Sequence, residues 1–307
     1  MNAFIALFPV FIVILLGYVM RRSRFIDDHH WLGIDQICYY VLFPAIIFKE
    51  IAAADFSNIP VWSMGAAMIL AISTMFALLL ATRVWLCRLL LMDGPAFTSV
   101  FQGATRWHTF IALALIPIYF GNEAIALGGL SAAAMIPLLN VVNVGVLAHY
   151  ASGRKPKARD VALSVVKNPF VLSSVGGVLF KFTGLPLPDL GYTVLDMVGR
   201  GSLGLALLAV GAGLRLDQAV AAKRPVIAAT ALKLLLMPVF FAGWLWLFGV
   251  TGPVAAIAIL SGAVPTGSGA YILAKQMGGD APLVANILTL QVLCAAVTIP
   301  IIMTLVT

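Results

Sequence analysis

Charge is scarce in this chain: Asp, Glu, Lys and Arg together make up only 10% of its 307 residues. Soluble domains carry about 25%, so a fully water-facing globular surface is excluded. Cysteine is scarce as well. Cys38, Cys87 and Cys294 stand far apart without ligand spacing, so neither a disulfide framework nor a metal site is expected. Catalytic signatures are missing too. There is no HExxH and no Walker phosphate loop, and Thr266 stands where a GxSxG motif around Ser268 would need its first glycine. Ser268 has no base in its own segment either. A hydrolase is thus a remote third choice, and no enzyme activity and no cofactor are expected.

Hydrocarbon is what the chain has in abundance. It is 62% hydrophobic with a mean hydropathy of +1.05, the composition of an all-α polytopic membrane protein. At about 20 residues per crossing, ten spans use roughly 200 residues and leave no room for a separate soluble domain. The apolar runs place these spans at 3–20, 31–51, 60–86, 95–120, 124–150, 161–182, 190–214, 225–248, 253–276 and 281–306. The first has no basic residues before it and no small-residue cleavage site after it, so it reads as a retained span. The most polar stretch, Ser152–Asp160, is a linker between residues 1–151 and 161–307.

Basic residues set the orientation. Arg21, Arg22 and Arg24, then Arg83 and Arg88, Arg154, Lys155, Lys157 and Arg159, Arg215, Lys223 and Arg224, and Lys275 all fall in loops after odd-numbered spans. The opposite loops hold only Lys49 and Lys181. The positive-inside rule then makes linker 152–160 cytoplasmic and both termini non-cytoplasmic, in a bacterial inner membrane. The net charge of +7 is accounted for by topology, with lipid as the partner and no nucleic acid.

Five spans on each side of a cytoplasmic linker give two halves of opposite topology, the plan of an inverted-repeat transporter. The fourth span of each half carries a polar interruption. Gln102-Gly-Ala-Thr-Arg-Trp-His-Thr109 lines up with Ser261-Gly-Ala-Val-Pro-Thr-Gly-Ser268, and Asp35 and Asp196 sit near the starts of the second spans. Pro265, Gly267 and Gly269 cannot sustain a continuous helix. Lipid cannot satisfy the freed backbone groups, so such a break belongs inside protein or against a water-filled cavity. Its half-helix N-terminus would favour an anion.

Candidate substrate contacts follow. Arg106 offers a bidentate fork to a carboxylate, with His108 and Thr109 as hydrogen-bond donors beside it, and Asn140, Thr266, Ser268 and Tyr271 around them. Snorkelling is the competing reading of Arg106, and a core imidazole that of His108. Asn140 and Asn143 share a helix face and could equally serve helix packing. Asp196 and Arg200, spaced i, i+4, read as a structural ion pair, Lys167-Asn168-Pro169 as an interfacial first turn, and Lys233 as a snorkelling residue. Gln291 is ambiguous. A coupling ion could be Na⁺ on backbone carbonyls at the breaks, or H⁺ carried by His108, Asp35 or Asp196. An anion channel is the alternative to a carrier, and broken helices in both halves favour the carrier.

In Ala263-Val-Pro-Thr-Gly-Ser-Gly-Ala-Tyr-Ile-Leu-Ala-Lys275 and in Phe101–Gly121, the chain resembles the auxin efflux carrier family, and within it the bacterial malonate transporters. The resemblance extends over essentially the full length. It implies ten helices, with the fourth and ninth broken and crossing at mid-membrane. It also implies a scaffold domain that forms a homodimer, and transport of small organic anions, malonate-like mono- or dicarboxylates. The residue after Arg106-Trp107, commonly Asn in the family, is implied to touch the substrate carboxylate. Here it is His108.

Overall fold

The structure is a computed structural model that describes residues 3–56, 59–152, 159, 163, 166–216 and 224–307. Most of linker 152–160, the first turn of the sixth expected span and Lys223 lie outside the described residues. The described residues form helices and no strand. In chain order these are α1 (Ala3–Arg22), α2 (Asp28–Ala53), α3 (Val61–Ala81), α4 (Arg83–Leu90), α5 (Gly94–Thr105) and α6 (Thr109–Phe120), then α7 (Asn122–Ala151) and α8 (Pro169–Phe182). The remainder are α9 (Asp189–Gly213), α10 (Arg224–Leu247), α11 (Gly252–Ala263), α12 (Gly269–Met277) and α13 (Ala281–Val306).

Helices α2, α3, α7, α9, α10 and α13 are each long and apolar enough to cross a membrane. Counting α4 with the α5–α6 stretch, bent by 108° between them, raises that number to seven. This is a multi-pass membrane protein. The expected third span at 60–86 ends early, at Ala81. Thr82 Oγ1 bonds back to Leu78 O at 2.6 Å, and Arg83 and Arg88 make the next eight residues too polar to continue the span. They form α4, which buries no side chain. Its Arg83 guanidinium instead rests over the Tyr150 ring at 4.1 Å.

Two long helices carry a π-turn just ahead of a proline: Cys38–Leu42 before Pro44 in α2, and Leu232–Leu236 before Pro238 in α10. A proline has no N–H for the carbonyl four residues back, so the preceding turn widens without losing a further bond.

The helices sort into two groups. Helix α1 packs along the 202–213 half of α9, and α8 packs along the 43–53 half of α2. The first pairing is close because Gly17 faces Leu208 O and Gly211 faces Ile14 O, with no room for a Cβ at either. Small residues at membrane helix contacts permit this approach. The second group holds α3, α5, α7, α10, α11 and α13, with α3 against α10 and α5 against α13. Lys49, expected in a loop, lies inside α2 and is only 5% exposed. It is neutralised by Glu50 and Asp196, each at 2.8 Å, and Arg200 holds the second Asp196 oxygen at 2.6 Å. The i, i+4 pair is therefore part of a cluster that ties α9 to α2.

Candidate functional site

The helices are broken at both places where the sequence interrupts them. Helix α5 stops at Thr105, whose hydroxyl turns back to Phe101 O at 2.7 Å. Arg106 is extended (φ −67°, ψ 157°), and helix resumes at Thr109. Helix α11 stops at Ala263, and Val264 is extended (φ −68°, ψ 152°), as a residue preceding proline prefers to be. Helix resumes at Gly269.

The two breaks touch. A Cβ on Gly267 would come within 2.6 Å of Trp107 O, so only glycine allows the backbones to approach this closely. The last carbonyls of α5 are then bonded from the other break, although Gln102 O also accepts from Arg106 N at 2.9 Å. Thr266 Oγ1 donates to Gln102 O at 3.0 Å and to Gly103 O at 2.9 Å. The Thr266 N–H donates to Gln291 Oε1 at 2.8 Å, while Gln291 Nε2 donates to Gly103 O at 2.8 Å and Ala229 O at 3.2 Å. Gln291, ambiguous in the sequence, thus stitches α13, α5, α10 and the second break together.

Beside this crossing lies a cavity of about 500 Å³. Its wall includes Arg106, Trp107, His108 and Thr109 from the first break, Gly267, Ser268 and Gly269 from the second, and Asn140 from α7. Asp35, Gln36, Tyr39 and Asn168 line it from the other helix group. The N-termini of α6 and α12 both border it, and neither N-cap side chain, His108 or Ser268, bonds the helix it starts.

Arg106 Nη2 donates to Asn140 Oδ1 at 3.1 Å, and its Nη1 is buried without a partner. Among the described residues no carboxylate pairs with it. The guanidinium also lies near the start of α12, since a Cβ on Gly269 would sit 3.7 Å from Nη2. A cation next to the positive end of a helix dipole raises the energy of both until an anion joins them. His108 is 2% exposed, and its Nε2 also lacks a partner.

The structure thus gathers Arg106, His108, Thr109, Asn140, Ser268 and Asp35 around one cavity. Three expected residues are placed elsewhere. Thr266 is fully buried with its hydroxyl committed to the crossing. Tyr271 is 38% exposed and off the lining, because it follows Gly269 by too little of a turn to point back. Asp196 belongs to the Lys49 ion cluster. Polar wall residues missed as site candidates include Gln36, Tyr39 and Asn168. Tyr39 lies four residues after Asp35 and three after Gln36, which puts it on their side of the helix, the one local signal that could have found it. Asn168, read as part of an interfacial turn, caps α8 through Phe170 N at 3.0 Å and donates to Tyr39 OH at 3.0 Å on the cavity wall.

The model of the family described as membrane transport protein matches residues 2–122 and 133–303. The chain belongs to that family. It is the auxin efflux carrier family of the sequence resemblance. A Rhizobium meliloti protein named "Putative malonate transporter" is 26% identical over 297 residues, covering 88% of this chain and 85% of that protein. An "Uncharacterized transporter" of Methanothermobacter thermautotrophicus is 21% identical over 294 residues, covering 95% of this chain and 94% of its own length. A transport family over nearly the whole chain is consistent with a protein that is not an enzyme.

Proposed function

We propose that this transport protein is a secondary carrier of small organic anions, malonate-like mono- or dicarboxylates, working by alternating access. One observation carries the reading: Arg106, with no carboxylate partner among the described residues, sits at the cavity beside the N-terminus of α12 and next to that of α6. A carboxylate in the cavity would supply the missing countercharge and take hydrogen bonds from Thr109 and Ser268. The name of the Rhizobium meliloti relative supports malonate as the first substrate to try.

The reading includes two inverted five-span repeats, residues 1–151 and 161–307. Reciprocal packing supports it. An inverted repeat that equates the first span with the sixth and the second with the seventh converts the α1–α9 pair into the α8–α2 pair, and both are present. It also includes a homodimer in a bacterial inner membrane with both termini outside, testable by external labelling of cysteines placed at the ends. Of the coupling candidates, His108 and Asp35 line the cavity and Asp196 does not.

Purified protein in liposomes should take up labelled malonate or a related carboxylate, with Na⁺ and pH gradients imposed separately. Absence of uptake and exchange for every short mono- and dicarboxylate would overturn the reading.

A further inference from the structure

Lys233 does not snorkel: it is 2% exposed and lies in the π-turn of α10, nine residues into the helix. At about 1.5 Å per residue that is roughly 14 Å from the helix start, near the depth of the crossing. No hydrogen bond or ion pair reaches its ammonium among the described residues. The helices packed on this turn are α5, α11 and α13. Their sequences hold no acidic residue, no basic residue and no histidine, and Cys294 of α13 is their one titratable group. On α10 itself the other charged residue is Arg224, exposed at the first position. A fixed ammonium without countercharge in such surroundings costs several kcal/mol. The ion clusters elsewhere in the molecule do not extend here.

One further feature marks the place. Gln102, on the packed helix α5, is fully buried with both amide atoms unpartnered. A polar region this incomplete suits a group that changes state during a cycle better than one that holds the core together.

We propose that Lys233 is the proton-coupling residue of the carrier, binding and releasing one proton in each transport cycle. The amine lone pair takes a proton from water when the helices part toward one side, and returns it to water on the other. The step is a simple acid–base exchange with no redox partner. Lys233 acts apart from the cavity, and its link to it is Gln291, which bonds Ala229 O one turn earlier in α10 and Thr266 N in the break. This rests on the carrier reading.

The test uses the full-length protein in liposomes, with a pH-sensitive dye inside and labelled malonate, or whichever short carboxylate the wild type exchanges. Wild-type uptake should move protons. For a monoanion carried with one proton, a one-unit pH difference should support accumulation of up to about tenfold. Lys233→Met and Lys233→Gln should keep carboxylate-for-carboxylate exchange but lose both the proton signal and the accumulation. Lys233→Arg, which keeps a cation that cannot release its proton, should not restore them. Proton movement at the wild-type ratio in Met or Gln variants overturns the proposal, as does wild-type uptake with no proton signal. A wild type that exchanges no carboxylate refutes the carrier reading itself, and the coupling role with it.

Discussion

A methyl group on Gly269 would lie 3.7 Å from Arg106 Nη2, so the one unpaired guanidinium of the cavity rests against the first residue of the half-helix that follows the other break. Each half of the chain contributes one side of that contact. The site is a product of the crossing.

The neighbouring glycines make a paired prediction. At Gly267 a Cβ would meet the rigid Trp107 carbonyl at 2.6 Å, and at Gly269 it meets only ordinary van der Waals contact. Gly267→Ala should therefore force the breaks apart at a cost of about 1–3 kcal/mol, with a lower melting temperature and lost transport. Gly269→Ala should insert, fold and bind substrate close to wild type. Equal behaviour of the two would mean that the backbones do not need to cross so tightly.

Arg106→Gln should weaken carboxylate binding by about 1.5–3 kcal/mol, roughly 10- to 150-fold in Kd, the range for a hydrogen bond to a charged group. Arg106→Lys keeps charge without the fork and should recover only part of it. Asn140→Ala, which frees Arg106 Nη2, should have the smaller effect. Calorimetric titration of the purified variants measures all three. Unchanged affinity in Arg106→Gln would leave the anion to the helix termini alone.

Thr266→Val preserves shape and removes the hydroxyl that serves Gln102 O and Gly103 O. Because Gln102 O keeps the Arg106 N–H and Gly103 O keeps Gln291 Nε2, stability should fall by only about 0.5–1.5 kcal/mol. Substrate affinity of the folded fraction should change little, because Thr266 does not line the cavity. A large loss of affinity at unchanged melting temperature would instead place Thr266 in contact with cargo.

Asp196→Asn separates the two roles offered to that residue. It leaves Lys49 with Glu50 as its remaining acid and removes the bridge between α2 and α9. A lower melting temperature with gradient-driven uptake intact in the folded fraction is expected. Loss of coupling without loss of stability would restore Asp196 as the ion-carrying group.

Much of this was legible in the sequence because the physical signals were local. Pro265 with Gly267 and Gly269 announces a break whatever surrounds it, and the polar run around Arg106 does so more faintly. The register between the halves came out one residue off. Matching motifs set Arg106 opposite Pro265, but the helices end at Thr105 and Ala263, which sets Arg106 opposite Val264. Proline forces its predecessor to be extended, so the break starts before the residue that announces it. Thr266 and Ser268 are equally polar and adjacent to the break. Only the opposite break decides which hydroxyl is consumed and which is left at the cavity. The place of Asn168 and the isolation of Lys233 depend on distant helices, and no local pattern reports that.

The stitch formed by Thr266 and Gln291 has a kinetic corollary. Separating the breaks would strand the Thr266 hydroxyl and amide together with the Gln291 amide, each at about 1–3 kcal/mol. A hinge placed there would be slow and costly. The facing wall, from Asp35 to Tyr39 and at Asn168, meets the crossing across the cavity. Phe43 stacks on Phe110, and among the described residues the Ser174–Gly129 O bond is the polar tie between α8 and α7, so fewer bonds break when this wall slides. Gating of the cargo therefore falls to the sliding wall, and the two breaks stay joined to each other while helices around them move.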